Sequence, residues 1–170
     1  MDLKIINQME FENIIKVKFN NILDGFDNYD CIELYSNKNN KKEAELNFIK
    51  SIEMFFDLNE GFLIIDFYKN NLNNENINFI KRNLDNEDIK IFDKLLKLMN
   101  EQNIYYKIEN KKYINLLTKL CTRELFFITF YFYKFHCTIW GNYNMRFPLF
   151  YNYFDDINDY LNIAKINDLL

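Results

Sequence analysis

Few side chains in this sequence have the reach for chemistry. His136 is the only histidine, so no two-histidine metal site can form within one chain. It stands between Phe135 and Cys137 in an apolar stretch and reads as a core or sheet-edge histidine. The cysteines are Cys31, Cys121 and Cys137, odd in number, widely spaced and without a CxxC motif. Neither a disulfide framework nor a zinc ribbon is expected from them, and they read as free, mostly buried thiols. A Cys–His nucleophilic pair would need His136 to meet Cys31 or Cys121, and nothing marks either as an activated thiolate. Two acidic clusters remain. Asp24, Asp27 and Asp30 recur every third residue without the DxDxDG pattern of a calcium loop, and read as a polar turn. Asp155, Asp156 and Asp159 stand where a last helix should begin, suited to capping and to the helix dipole, or to docking on a cationic partner. Glycoside hydrolysis needs two acids about 5–10 Å apart in a cleft, and no pair is singled out. No Gly-rich phosphate loop is present among the three glycines. The expectation is a binding protein with no cofactor and no catalytic residues.

The elements that would carry these residues follow from periodicity. Residues 8–23 place Phe11, Ile14, Ile15, Phe19 and Ile22 on one helical face. DGFDNYD (24–30) reads as a loop, with Gly25 suited to a helix C-terminal position of positive φ. CIELYS (31–36) alternates as a strand. A second helix is expected over 42–57 and a buried strand over FLIIDFY (62–68). Helices follow over 76–84 and 86–101, the latter capped by Asp85 or Asn86. A strand at 104–109 and a short helix at 112–121 come next. ELFFITFYFY (124–133) reads as a strand, HCTIW (136–140) as a second, GNYN as a turn, and MRFPLFY (145–151) as the returning strand. Pro148 has no N–H and points to an edge or short strand. A final helix closes the chain. The sum is an α+β class protein: one domain over 1–170, with an antiparallel C-terminal meander packed against several helices.

The bulk numbers agree with that class. At 170 residues the chain can bury a core without staples, and 49% hydrophobic residues are too many for disorder. There are 28 Asn, while Arg (3), Ala (2) and Gly (3) are scarce, the mark of AT-rich codon usage rather than of function. Net charge is −4, which disfavours direct nucleic-acid binding. The charge is uneven: residues 1–66 hold 7 basic and 13 acidic side chains, whereas residues 104–135 hold 6 and 2. An acidic face of this kind can steer a basic partner. No signal-peptide pattern opens the chain, and the apolar run 125–133 is far short of the ~20 residues a membrane helix needs. A cytoplasmic location without membrane contact is expected.

One segment carries a family resemblance. Residues 124–150, ELFFITFYFYKFHCTIWGNYNMRFPLF, combine an aromatic strand, a T-[IV]-W-G turn and a K/R-F-P-[LI]-F strand. The residues are Thr138, Ile139, Trp140, Gly141, Arg146, Phe147, Pro148, Leu149 and Phe150. The pattern covers about a sixth of the chain and resembles the C-terminal signature of small bacterial immunity proteins found beside polymorphic toxins, including those of contact-dependent growth inhibition. The resemblance implies tight binding to a cognate toxin domain, often a nuclease or another basic enzyme, by occlusion of its active site or an adjacent surface. The contact surface expected on that basis is Asn142, Tyr143, Tyr151, Tyr153, Asp155, Asp156 and Asp159. Tyrosines would supply anchors and the aspartates steering. A viral or mobile-element accessory protein that binds a host protein would have the same composition. An enzyme of another kind would instead show a deep pocket holding a carboxylate of shifted pKa, or His136.

Overall fold

A computed structural model of the chain describes residues 3–153 and 157–170. Asp155 and Asp156 fall outside the described residues. The strands are β1 (Leu3–Ile6), β2 (Asp30–Tyr35), β3 (Leu63–Asp66), β4 (Tyr105–Ile108), β5 (Thr129–Phe132), β6 (Cys137–Trp140) and β7 (Arg146–Tyr151). They form one antiparallel sheet in the order β1-β4-β3-β5-β6-β7-β2. The α+β class and the C-terminal meander, β5-β6-β7, are as the sequence implies.

Alternation along the strands divides the sheet into two faces. Ile65, Phe130, Phe132, Ile139, Phe147 and Leu149 face the large core. Over them lie α3 (Lys41–Leu58), α4 (Asn74–Arg82), α5 (Asn86–Leu98), α6 (Lys111–Thr122) and α7 (Asn158–Ile166). Ile64 and Tyr131 point the other way, into a smaller cluster with Ile6, Phe11 and Ile15. That second face is covered only by the N-terminal segment, which includes α1 (Gln8–Ile14) and α2 (Ile22–Asn28).

The single helix expected over 8–23 is broken. α1 ends with the Ile15 N–H on the Phe11 carbonyl, after which Ile15 and Val17 are buried in extended chain. The Val17 carbonyl accepts a hydrogen bond from the Thr138 hydroxyl. Asn21 then starts α2 by accepting the Leu23 and Asp24 N–H groups. The segment holding Asp24 and Asp27 is therefore helix rather than loop. Gly25 sits inside that helix, not at a C-terminal turn. A Cβ there would come within 3.0 Å of the Phe19 ring and 3.1 Å of the Phe150 ring. The glycine lets α2 lie close on the sheet.

Asparagine recurs at the helix starts. Asn7, Asn21, Asn40, Asn73 and Asn110 cap α1, α2, α3, α4 and α6 through side-chain oxygens that accept backbone N–H groups. Asp85 does the same for α5. Asn is among the best N-caps, so part of the Asn excess has a structural use.

Two further strand expectations are corrected. Only Thr129–Phe132 of the 124–133 run is strand. Its first part terminates α6: Glu124 takes a positive φ of 57°, and the Leu125 and Phe126 N–H groups both return to the Leu120 carbonyl. Those apolar residues cap a helix end rather than extend a sheet. Pro148 is not on an edge strand, since β7 lies between β6 and β2. The β6–β7 register stops at Ile139↔Leu149. Pro148 stands one residue beyond it, where its missing N–H interrupts nothing on that side.

Candidate binding cleft and the predicted contact residues

The β3–β5 register contains only Ile64↔Tyr131 and Ile65↔Phe130. One step further the Thr129 N–H donates to Asp66 Oδ1 at 2.7 Å instead of to a ladder carbonyl. The sheet opens there into a cleft of about 270 Å³ on its thinly covered face. Asp66 is its acidic floor and is 5% exposed. Tyr105 and Tyr68 wall it from one side, Trp140 and Phe127 from the other. The N-terminal segment closes it above with Gln8, Phe19 and Asn20.

The fold locks these walls in place. Tyr105 stacks on Phe11 of α1, with ring centroids 3.6 Å apart and planes 6° from parallel. Trp140 stacks on Phe19 at 5.6 Å. Gly141, beside Trp140, has no room for a side chain: a Cβ would lie 2.7 Å from the Ile128 carbonyl oxygen and 2.8 Å from Cys121 Sγ. A shallower groove of about 170 Å³ continues past Phe19 and Tyr105 to Glu12 and Lys18, which pair at 3.0 Å.

Burial pushes the Asp66 carboxyl up to about 6, against the lowering effect of the Thr129 N–H and hydroxyl, the Tyr131 hydroxyl and its own backbone N–H. The Tyr131 hydroxyl is 3.4 Å from Oδ2, a weak bond. Among the described residues no Lys or Arg lines the cleft. Tyr105 is pushed up to about 12 by burial first, then by the neighbouring Tyr68 and Asp66. The cleft thus gathers one carboxylate and the hydroxyls of Tyr68, Tyr105 and Tyr131.

A conventional catalytic set is not assembled around it. Among the described residues no second carboxylate lines the cleft. His136 lies in the β5–β6 connection, beyond Phe132, while the cleft takes the Thr129 and Trp140 ends of the same two strands. Cys121 backs onto Gly141, but burial raises its thiol far from the thiolate form. Burial and Glu33 push Cys31 up to about 11. Among the described residues no cluster of three His, Cys, Asp or Glu side chains could hold a metal ion.

The residues expected to form a contact surface divide between two ends of the meander. Asn142 and Tyr143 follow Trp140, and Tyr143 meets Phe127 of the cleft edge-on at 4.6 Å. Tyr151 and Tyr153 lie at the far end of β7, beside Cys137 and Asp30. β7 runs six residues, Arg146–Tyr151, so about 16 Å separates its ends at roughly 3.3 Å per residue. Asp159 is exposed in the first turn of α7. Tyr143 and Tyr153 are 60% and 78% exposed.

The surface that sequence reasoning missed is α2. Its Leu23 and Phe26 are 69% and 52% exposed, among Asp24, Asp27 and Asp30. Residues 19–37 contain those three acids and Glu33, with no Lys or Arg. The basic stretch 104–135 is the opposite case, since its charges are spent on separate partners. Lys107 pairs with Glu109, Lys111 with Asp57, Lys119 with Asp88, Arg123 with Glu45 and Lys134 with Glu60.

No family model, no curated protein and no solved structure matches this chain. Its function is argued from its own surfaces.

Proposed function

We propose that the protein is a protein-binding inhibitor that covers a basic surface of its partner. The partner is the toxin domain that the immunity-protein resemblance implies, and the complex forms in the cytoplasm. The observation that carries this reading is α2, where two large apolar side chains stand exposed inside an all-acidic stretch. Apolar anchors with a charged rim are the anatomy of a recognition surface. Asp24, Asp27 and Asp30 would speed encounter with a cationic face, Glu33 being paired with Arg146, and Leu23 and Phe26 would hold it.

Two neighbouring features extend the surface. Tyr151 and Tyr153 lie at the Asp30 end of the β2–β7 pair. β2 is also the last strand of the sheet, and of its outer backbone groups the Tyr35 N–H is taken by the Leu169 carbonyl. The remaining edge can accept an extended segment of a partner. The Asp66 cleft also has the feature expected of an enzyme, a carboxylate of raised pKa in a pocket; among the described residues no second acid or base lines it, which favours recognition. Among the described residues no helix is long and apolar enough to cross a membrane.

The test is co-expression of the tagged protein with the toxin domain encoded immediately upstream, scored by pull-down and by growth. A stable complex that restores growth, and that is lost with Leu23→Ala/Phe26→Ala while the variant stays folded, is the expected result. A well-folded protein that neither binds nor rescues would overturn the reading.

A further inference from the structure

We infer that the Asp66 cleft binds a small organic cation with a guanidinium or alkylammonium head, seated on the carboxylate and walled by Tyr68, Tyr105 and Trp140. This goes beyond the partner-binding reading and uses none of the α2 residues.

The argument begins with a carboxylate that lacks a counter-ion. Asp66 is 5% exposed, and its partners are the Thr129 N–H and hydroxyl, its own backbone N–H and the distant Tyr131 hydroxyl. All four donors are neutral, so they occupy acceptor positions without supplying a positive charge. A buried acid is ordinarily paired. Among the described residues none that lines the cleft is basic. A cation from outside the chain would supply the charge that these neutral donors do not.

The walls then select among cations. Aromatic faces stabilise a positive head through their ring quadrupoles, most of all when it is desolvated. Tyr105 and Trp140 are held by stacking on Phe11 and Phe19, so the cage exists before a ligand arrives. A divalent metal ion is a poor fit, since calcium takes six to eight oxygen ligands and the cleft offers one carboxylate. An anion would meet the Asp66 charge. At about 270 Å³ the cleft has space for the head and a short stem, and the groove past Phe19 and Tyr105, where Glu12 is already paired with Lys18, gives the stem an exit.

The same head group can arrive as a free small molecule or as an arginine side chain on another protein. Trp140 is the only tryptophan of the chain and lines the cleft, so its fluorescence reports occupancy. The full chain is titrated with agmatine and, separately, with N-acetyl-arginine amide at neutral pH. Agmatine is expected to change the Trp140 emission saturably, with a dissociation constant of about 1 mM or tighter. Asp66→Asn is expected to weaken that binding at least about tenfold, a loss of one charge–charge contact. The Asn side chain can still accept the Thr129 N–H, and a thermal melt checks the fold. If that variant does not fold, Tyr68→Ala, at a half-exposed position outside the core, replaces it with the same expected loss. Binding of agmatine alone identifies a free cation. Equal binding of the capped arginine identifies a side chain. No saturable response to either compound, or binding that the Asp66 and Tyr68 variants leave unchanged, overturns the inference.

Discussion

At the scale of single residues, Asp66 is a buried carboxylate that costs stability at neutral pH. Its carboxyl titrates near 6 in the folded chain and near 3.8 when unperturbed. The folded state therefore holds the proton more tightly than the unfolded state. Stability falls as pH rises through that window, and the cost reaches about 3 kcal/mol above it. The groups facing Asp66 do not blur this. Tyr68, Tyr105, Tyr131 and Cys121 are all shifted upward, away from the window. Asp66→Asn should remove the effect. In urea unfolding, the stability of the variant relative to the parent should rise by up to about 3 kcal/mol between roughly pH 4 and pH 7. A constant difference across that range would mean that the carboxylate is not buried as described. The signal was present in the sequence: an acid between Ile65 and Phe67, in a strand read as buried, is rare enough to mark a site. What the sequence lacked was the register that places Tyr105 and Thr129 beside it.

At the scale of elements, legibility followed the strength of the local pattern. α3 and α5 were evident from their apolar positions, β2 from alternation, and β6 and β7 from apolar runs on either side of the GNYN turn. α2 was not, because Gly25 and three aspartates read as a turn until Phe19 and Phe150 supply the reason for the glycine. The run 124–133 misled in the other direction, since apolar residues serve a helix end as well as a strand. The cap on α2 is open to test. Asn21→Ala leaves the Leu23 and Asp24 N–H groups without their acceptor and should cost about 1 kcal/mol in thermal or urea unfolding. Gly141→Ala is the sharper case. The new methyl group meets the Ile128 carbonyl oxygen, part of the backbone. A loss of about 1–3 kcal/mol is expected, as for overpacking. A neutral result at Gly141 would mean that the end of β6 gives way at little cost.

At the scale of the molecule, charge is segregated by pairing as much as by position. Lys111, Lys119 and Arg123 at α6 are bound to carboxylates, whereas α2 presents acids and apolar groups together. For the partner complex, Asp24→Lys/Asp27→Lys/Asp30→Lys should slow association about tenfold or more and abolish its salt dependence. Leu23→Ala/Phe26→Ala should act on dissociation instead. Stopped-flow association at two ionic strengths separates the two. If both variants change only the dissociation rate, the acids are contacts and not a steering field. The asparagine helix starts have one more consequence, seen in acid. An amide has no proton to gain, so α1, α2, α3, α4 and α6 keep their N-terminal anchors at pH values where Asp88, whose carboxyl burial pushes up, releases Lys119. Acid should therefore loosen side-chain packing before it melts helices, leaving a compact state with native-like far-ultraviolet and lost near-ultraviolet circular dichroism.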